Sequence, residues 1–467
     1  MAFLLHRNIL RGICIAAASG LAFLSVADNA AAQPGDSQAL IERGRAVAIA
    51  ADCAACHTRP GGKPFAGGYP IASPIGTIVS TNITPSKSAG IGEYTEGQFA
   101  RAMRQGIRKD GSHLYPAMPY NAYAGITDHD LHALYVYFMQ GVEPVDDQPA
   151  ARTDLPFPFN LRFAMAPWNL LYARAEPFTP DPGKSAEVNR GAYLVNVLGH
   201  CSACHSPRNF IMGERNASAY LAGGPVGPWH APNITSDPVS GIGDWTVDEL
   251  TAYLGTGRAE GRGQAAGGMA EAVQNSLQYL PESDLKAIAV YLKSVPPIRD
   301  PGDTRPADQF GTADGDEARL SGAAAIGEDG GMAGAALYSA NCASCHQPSG
   351  EGSDNQAYPS LFQNSAVEAS QSANLVAAIL YGVEREAAGR HVLMPNFGPR
   401  SYVNPLSDQE IADISNYVLA RFGNAEARVT PANVATARAG GPVPLLGQIK
   451  PLAGPLMVAG LVVLVAA

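Results

Sequence analysis

Three short stretches of the chain could carry covalent redox chemistry: CAACH at 53–57, CSACH at 201–205 and CASCH at 342–346. A C-x-x-C pair can be a disulfide, half of a zinc site or a redox dithiol, and with His next it can anchor a haem. The other cysteines separate these readings. Of seven in the chain, Cys14 falls in an apolar leader; the remaining six are Cys53, Cys56, Cys201, Cys204, Cys342 and Cys345. None is left over for a structural disulfide. Zinc wants a second ligand pair nearby, and none stands near any motif. A thioredoxin-like dithiol sits in a strand–helix–strand setting, whereas these flanks have helical patterns. The expected chemistry is three covalently bound haem c groups held by six thioethers, with His57, His205 and His346 as proximal iron ligands.

A sixth ligand has to follow later in each unit, and Met or His is the usual choice. After the first motif, Met103 shares an apolar helix face with Phe99 and Ile107, and Met139 lies in the last helix. Met118 stands in LYPAMPY, between two prolines that stiffen a loop, and is the expected ligand. After the third motif, Met394 stands in VLMPNF; Met332 precedes the haem helix, and His391 is the rival. After the second, Met212 is only seven residues from His205, too near to swing around a haem. Met269 is 64 residues on, against 61 and 48 in the other units, and is the expected ligand. With Met on each iron, no position is open for oxygen, peroxide or substrate. No nucleophile–base set shows itself, and the glycine-rich stretches lack a dinucleotide-site context.

The elements that must position these residues are written three times. Each motif follows a Gly-led apolar segment, from Gly44, Gly191 and Gly334. Each unit ends in a helical pattern: Leu131, Leu134, Phe138; Leu285, Ile288, Leu292; Ile411, Ile414, Val418. Tyr137, Tyr291 and Tyr417 occupy matching places and read as helix–helix packing. Thr95-x-x-Gln98, Thr246-x-x-Glu249 and Ser407-x-x-Glu410 are capping boxes, and Gly423 is a stop. Asn82-Ile-Thr84 and Asn233-Ile-Thr235 match a glycosylation sequon, but their equivalent placement points to a structural loop near each haem. The division is a signal peptide at 1–32, haem domains at 33–142, 187–298 and 331–424, an apolar linker at 143–186, a flexible linker at 299–330 and a tail at 425–467. The apolar linker is expected to pack on a haem domain or a partner. The fold class is mainly α: three cytochrome c-like domains in tandem plus an apolar, membrane-associating C-terminal tail.

The leader has Arg7 and Arg11, an apolar run, and Ala30-Ala31-Ala32, which reads as an export signal. A net charge of −10 argues against nucleic acid and against an electrostatic grip on anionic lipid. The run from Leu452, LAGPLMVAGLVVLVAA, is short for a span of about 20 residues and is expected to sit in or at the membrane.

The mature chain resembles the three-haem cytochrome c subunits of bacterial membrane-bound, quinone-reducing dehydrogenases. The motifs that carry this are ADCAACH, SPIGTIVSTNITPSKSAGIGEYT, LYPAMPY, HCSACHSPRNF, MAEAVQNSLQYL, CASCHQPSGEGS, LMPNFGP and ARFGNA. The subunits of flavin-dependent fructose, gluconate and sorbitol dehydrogenases look nearest; that of the pyrroloquinoline-quinone alcohol dehydrogenases is similar. The resemblance implies a large FAD-containing partner that oxidises a sugar, sugar acid or polyol in the periplasm, a small third subunit, and electron delivery to ubiquinone. It maps the axial ligands onto Met118, Met269 and Met394. A free periplasmic shuttle and a multihaem peroxidase are the competing classes.

Overall fold

The computed structural model describes residues 34–173, 176–214, 217–313 and 333–466. The expected leader, Met332 and the later part of the second linker lie outside these. The described chain is mainly α-helical, and its strands form two-stranded hairpins.

Each unit pairs an opening helix with a closing helix. The opening helices are Pro34–Ala50, Ala186–Tyr193 and Gly334–Asn341; the closing ones are Asp128–Val136, Glu282–Ser294 and Asp408–Phe422. The repeated glycines and tyrosines explain each other at the crossing. A Cβ added at Gly44 would lie 2.0 Å from the Ala133 carbonyl oxygen and 2.5 Å from Tyr137 Cβ. At Gly191 it would lie 2.0 Å from Ala287 O and 2.6 Å from Tyr291 Cβ; at Gly334, 2.5 Å from Asp413 O and 3.1 Å from Tyr417 Cβ. Only glycine lets the backbones approach this closely. In the first two units the Arg before the glycine also reaches the start of the closing helix: Arg43 Nε to Asp130 at 2.7 Å, and Arg190 in a fork on Asp284 at 2.8 and 2.6 Å. The three expected capping boxes form with reciprocal bonds, and a fourth, Thr430 with Asn433, starts helix Pro431–Arg438. The nine apolar positions predicted for the closing helices are all buried.

Units one and two share one core, in which Leu134, Phe138, Leu194 and Leu198 lie with Leu285 and Leu292. Across their junction Tyr193 donates to Asp130 at 2.8 Å. Unit three has its own core, and it includes Val434 and Ala437. Residues 425–438, assigned to the tail by sequence, thus pack onto this unit.

The linker at 143–186 is pinned at many points. Tyr115 donates to Phe159 O at 2.7 Å, Tyr120 to Asn169 Oδ1 at 2.7 Å, and Trp168 Nε1 to Ile211 O at 3.2 Å. It therefore bridges units one and two. In the second linker, residues 299–313 are packed down rather than free: Asp308, 4 % exposed, pairs with Arg262 at 3.0 Å. The chain ends in the helix Leu445–Ala466, which contains Pro451 and Pro455. Among the described residues no helix is long and apolar enough to cross a membrane.

Candidate functional site

Each C-x-x-C-H motif contains a short helix, Cys53–His57, Ser202–His205 or Ala343–His346. The histidines are held alike. His57 Nδ1 is 2.7 Å from Thr81 O, His205 Nδ1 is 2.7 Å from Pro232 O, and His346 Nδ1 is 2.9 Å from Pro359 O. A carbonyl can only accept, so Nδ1 carries the proton and the Nε2 lone pair is left for a metal. The bond also fixes the ring and raises its basicity as a ligand. Burial lowers the pKa of all three rings, which favours the neutral, ligating form.

The sequon-like loops build the acceptors of His57 and His205. Asn82 Oδ1 accepts from Thr84 N at 2.9 Å and Thr84 Oγ1 at 2.7 Å, while its Nδ2 donates to Val145 O at 2.7 Å. Asn233 repeats the pattern with Thr235 at 2.8 and 2.7 Å and with Ile298 O at 2.7 Å. The peptide just before each Asn is the histidine's acceptor. Asn82 is 3 % exposed, and its amide is committed to internal bonds, so it serves structure rather than carrying sugar.

Three glycines that the sequence reading passed over complete the device. Gly67 and Gly223 each donate N–H to the carbonyl of their unit's histidine at 2.7 Å, and Gly352 does so at 3.0 Å. Their φ values are +71°, +85° and +70°. A Cβ would lie 2.4 Å from Thr81 C at Gly67, 2.8 Å from Ala231 O at Gly223 and 2.2 Å from Tyr358 O at Gly352. The glycine therefore sits between the histidine's backbone and the peptide that holds its ring. The intervals from His to Gly are 10, 18 and 6 residues, which hides the repeat; the A-G-G shared at 66–68 and 222–224 was the available signal.

Burial raises the thiols: Cys53, Cys201 and Cys342 are pushed up to about 12 and Cys56 to about 11. A redox dithiol or a reactive nucleophile needs a depressed thiol. Burial of Cys53, Cys56, Cys201 and Cys342 thus works against the depressed thiol of such a site.

Cys53, Cys56, His57 and Met118 line one cavity of about 2020 Å³, walled by Ile78, Ile83, Phe99 and Phe138. Two thiols, an imidazole and a thioether around an apolar space are a donor set that fits haem. The cavity runs on to Cys204 and His200 of unit two, so the first two motifs are close neighbours. His200, stacked edge-on to Tyr123 with ring centroids 5.7 Å apart, has its pKa lowered by burial to about 4. This agrees with a packing residue.

Met118 and Met269 hold equivalent places. Helices Glu96–Gln105 and Val247–Thr256 end in left-handed glycines, Gly106 and Gly257. Leu114 N donates to Gly106 O at 2.7 Å, and Ala265 N to Gly257 O at 2.8 Å. Each Met comes four residues later. Met269 is packed against the shared core, as is Cys201. In unit three, Met394 lies in the hairpin Val383–Ala387/Arg390–Met394, paired with Val383, and packs against the same core as Cys342. His391 is exposed on the opposite face of that strand, 3.4 Å from Glu384. Met103 is buried in the core with Phe99, as expected.

The comparisons with known proteins agree with this geometry. Residues 41–141 and 331–421 match the family model for cytochrome c. The chain is 49% identical over 423 residues to the fructose dehydrogenase cytochrome subunit of Gluconobacter japonicus, covering 88% of this chain and 85% of that one. It is 41% identical over 441 residues to the cytochrome c subunit of the quinone alcohol dehydrogenase of Gluconacetobacter polyoxogenes, covering 91% and 90%. It is 39% identical over 430 residues to the gluconate 2-dehydrogenase cytochrome c subunit of Pantoea cypripedii, covering 90% and 92%. With similarity across most of each of these chains and a cytochrome c anchoring geometry repeated within it, this chain belongs to the family of dehydrogenase cytochrome c subunits and carries covalently bound haem c.

Proposed function

We propose that this chain is the electron-transfer subunit of a membrane-bound dehydrogenase on the periplasmic side of a bacterial cytoplasmic membrane. It takes electrons from a flavoprotein subunit that oxidises a sugar, sugar acid, polyol or alcohol, and delivers them to ubiquinone. A small third subunit completes the complex. Three haem c groups are held by Cys53/Cys56, Cys201/Cys204 and Cys342/Cys345. The residues that would hold the irons are His57 with Met118, His205 with Met269, and His346 with Met394. The observation that carries this reading is the threefold tether of an Nδ1-protonated histidine between a glycine N–H and a fixed carbonyl. Bound haem supplies reversible one-electron redox chemistry, and methionine ligation keeps its potential high. The chain's own residues orient the ligands and wall the pocket with apolar side chains.

The 49% identity to the fructose dehydrogenase subunit supports a flavin partner, while the gluconate 2-dehydrogenase and alcohol dehydrogenase subunits, at 39% and 41%, do not separate the two partner types. The export-signal pattern of residues 1–32 supports a periplasmic location, where thioethers are made, and the apolar composition from Leu452 supports membrane attachment. The test is turnover. The purified chain alone should oxidise no gluconate, fructose or ethanol, while the complex couples one of them to ubiquinone reduction; turnover by the isolated chain refutes the reading.

A further inference from the structure

Tyr120 closes the methionine loop of unit one from within that unit. Its ring carbons lie 2.8 Å from a Cβ built on Gly106, and its hydroxyl, which donates to Asn169, lies 3.4 Å from Leu114 O. Unit two has no such tyrosine: two residues after Met269 stands Glu271. At the equivalent point the structure holds Arg385, from unit three. Its Nε lies 2.6 Å from a Cβ built on Gly257, and its Nη1 donates to Ala265 O. Arg385 thus meets the same glycine and the same carbonyl, four residues before Met269, that Tyr120 meets before Met118.

Unit three reaches this place because its hairpin is long. The corresponding bridges in units one and two close at Ile107↔His113 and Arg258↔Gln264, whereas Val383–Ala387 pairs with Arg390–Met394 over five rungs. The far end of this hairpin grips the helix Gly267–Asn275 that bears Met269. Gln274 Oε1 accepts from Glu386 N at 2.8 Å; Gln278 donates to Glu386 O at 2.9 Å and accepts from Ala388 N at 3.2 Å. Ala387 is buried with Ala265 and Val273, and Met269 packs against this cluster. Arg385 is 2 % exposed, and its Nε has no hydrogen-bond partner. An apolar side chain could fill the same space, so the bond to Ala265 is the feature that needs the arginine.

We infer that the unit-three hairpin is a clamp, with Arg385 its positioning residue, that holds Met269 in place as the sixth ligand of the unit-two haem. The inference rests on the proposed ligation by Met269. Haem two therefore depends on unit three for its ligation, and the two units form one redox module.

The test uses the full chain as Arg385→Gln, Arg385→Lys, Gln278→Ala and Met269→Ala variants, with covalent haem content measured as the folding control. The readouts are the sulfur-to-iron charge-transfer absorption of the oxidised protein and the individual midpoint potentials. Met269→Ala defines the unit-two share of the absorption. Arg385→Gln should lose most of that share and lower one potential, since loss of methionine ligation lowers it; Arg385→Lys, which keeps a donor, should recover part of both. Gln278→Ala leaves the core intact and should make the same share disappear at a lower temperature than in the parent. An unchanged signal in Arg385→Gln and Gln278→Ala, with loss in Met269→Ala, overturns the clamp alone. An unchanged signal in Met269→Ala overturns the ligand assignment and the clamp together.

Discussion

The histidine of each C-x-x-C-H motif is set by groups outside the motif. Gly67 shows this most sharply, because its positive φ and its contact with the Thr81 peptide are separate demands. Gly61 also has a positive φ, +67°, but open space around it. Gly61→Ala should therefore cost only the left-handed penalty, about 1–2 kcal/mol. Gly67→Ala should cost at least about 2 kcal/mol more, because a buried peptide must move. Thermal melts of the two variants check this, and Gly67→Ala alone should disturb the haem-one spectrum. Asn82→Ala strips the bonds to Thr84 and Val145 from a buried loop, for an expected loss of roughly 1–3 kcal/mol. The sequence exposed the cysteines and histidines because their spacing is fixed by the porphyrin. It hid the glycines because the loops between His and Gly differ in length.

At the scale of elements, the crossing of opening and closing helices organises every unit, and the carboxylate of its ion pair in unit one also accepts a bond from unit two. Asp130 is 1 % exposed and receives bonds from Arg43 in its own unit and Tyr193 in the next. Burial acts to raise its carboxyl, but the bonds from Arg43 and Tyr193 outweigh it and hold the pKa below the ordinary value. A depressed carboxylate contributes stability that is fully present above its unfolded pKa of about 3.9 and is lost as pH falls through the folded value. Asp130→Asn should thus be less stable at neutral pH and show a shallower loss of melting temperature on acidification. A parallel shift at every pH would contradict this account. The helices, their caps and their buried faces were legible, since periodicity and capping boxes report local physics. The reach of the unit-three hairpin into unit two was not, because it rests on contacts about 110 residues apart that carry no local pattern.

For the whole molecule, units one and two are fused through a shared core and a continuous cavity, and unit three is bound to unit two through its hairpin. Repetition marked three units in the sequence, and the described residues pack these units against one another instead of stringing them on tethers. The apolar tail was legible as composition only. Removing residues 445–467 should leave haem content unchanged and move the complex from the membrane fraction to the soluble fraction; continued sedimentation with membranes would remove the tail from its proposed role. The central claim is that the chain is a three-haem conductor fed by a partner. A reductive titration of the purified complex, followed at the c-type haem α-band, tests it most directly. Substrate should reduce three haem equivalents per chain, ubiquinone should reoxidise all three, and the chain without its partner should stay oxidised. Fewer than three equivalents, or reduction of the isolated chain by substrate, would contradict it.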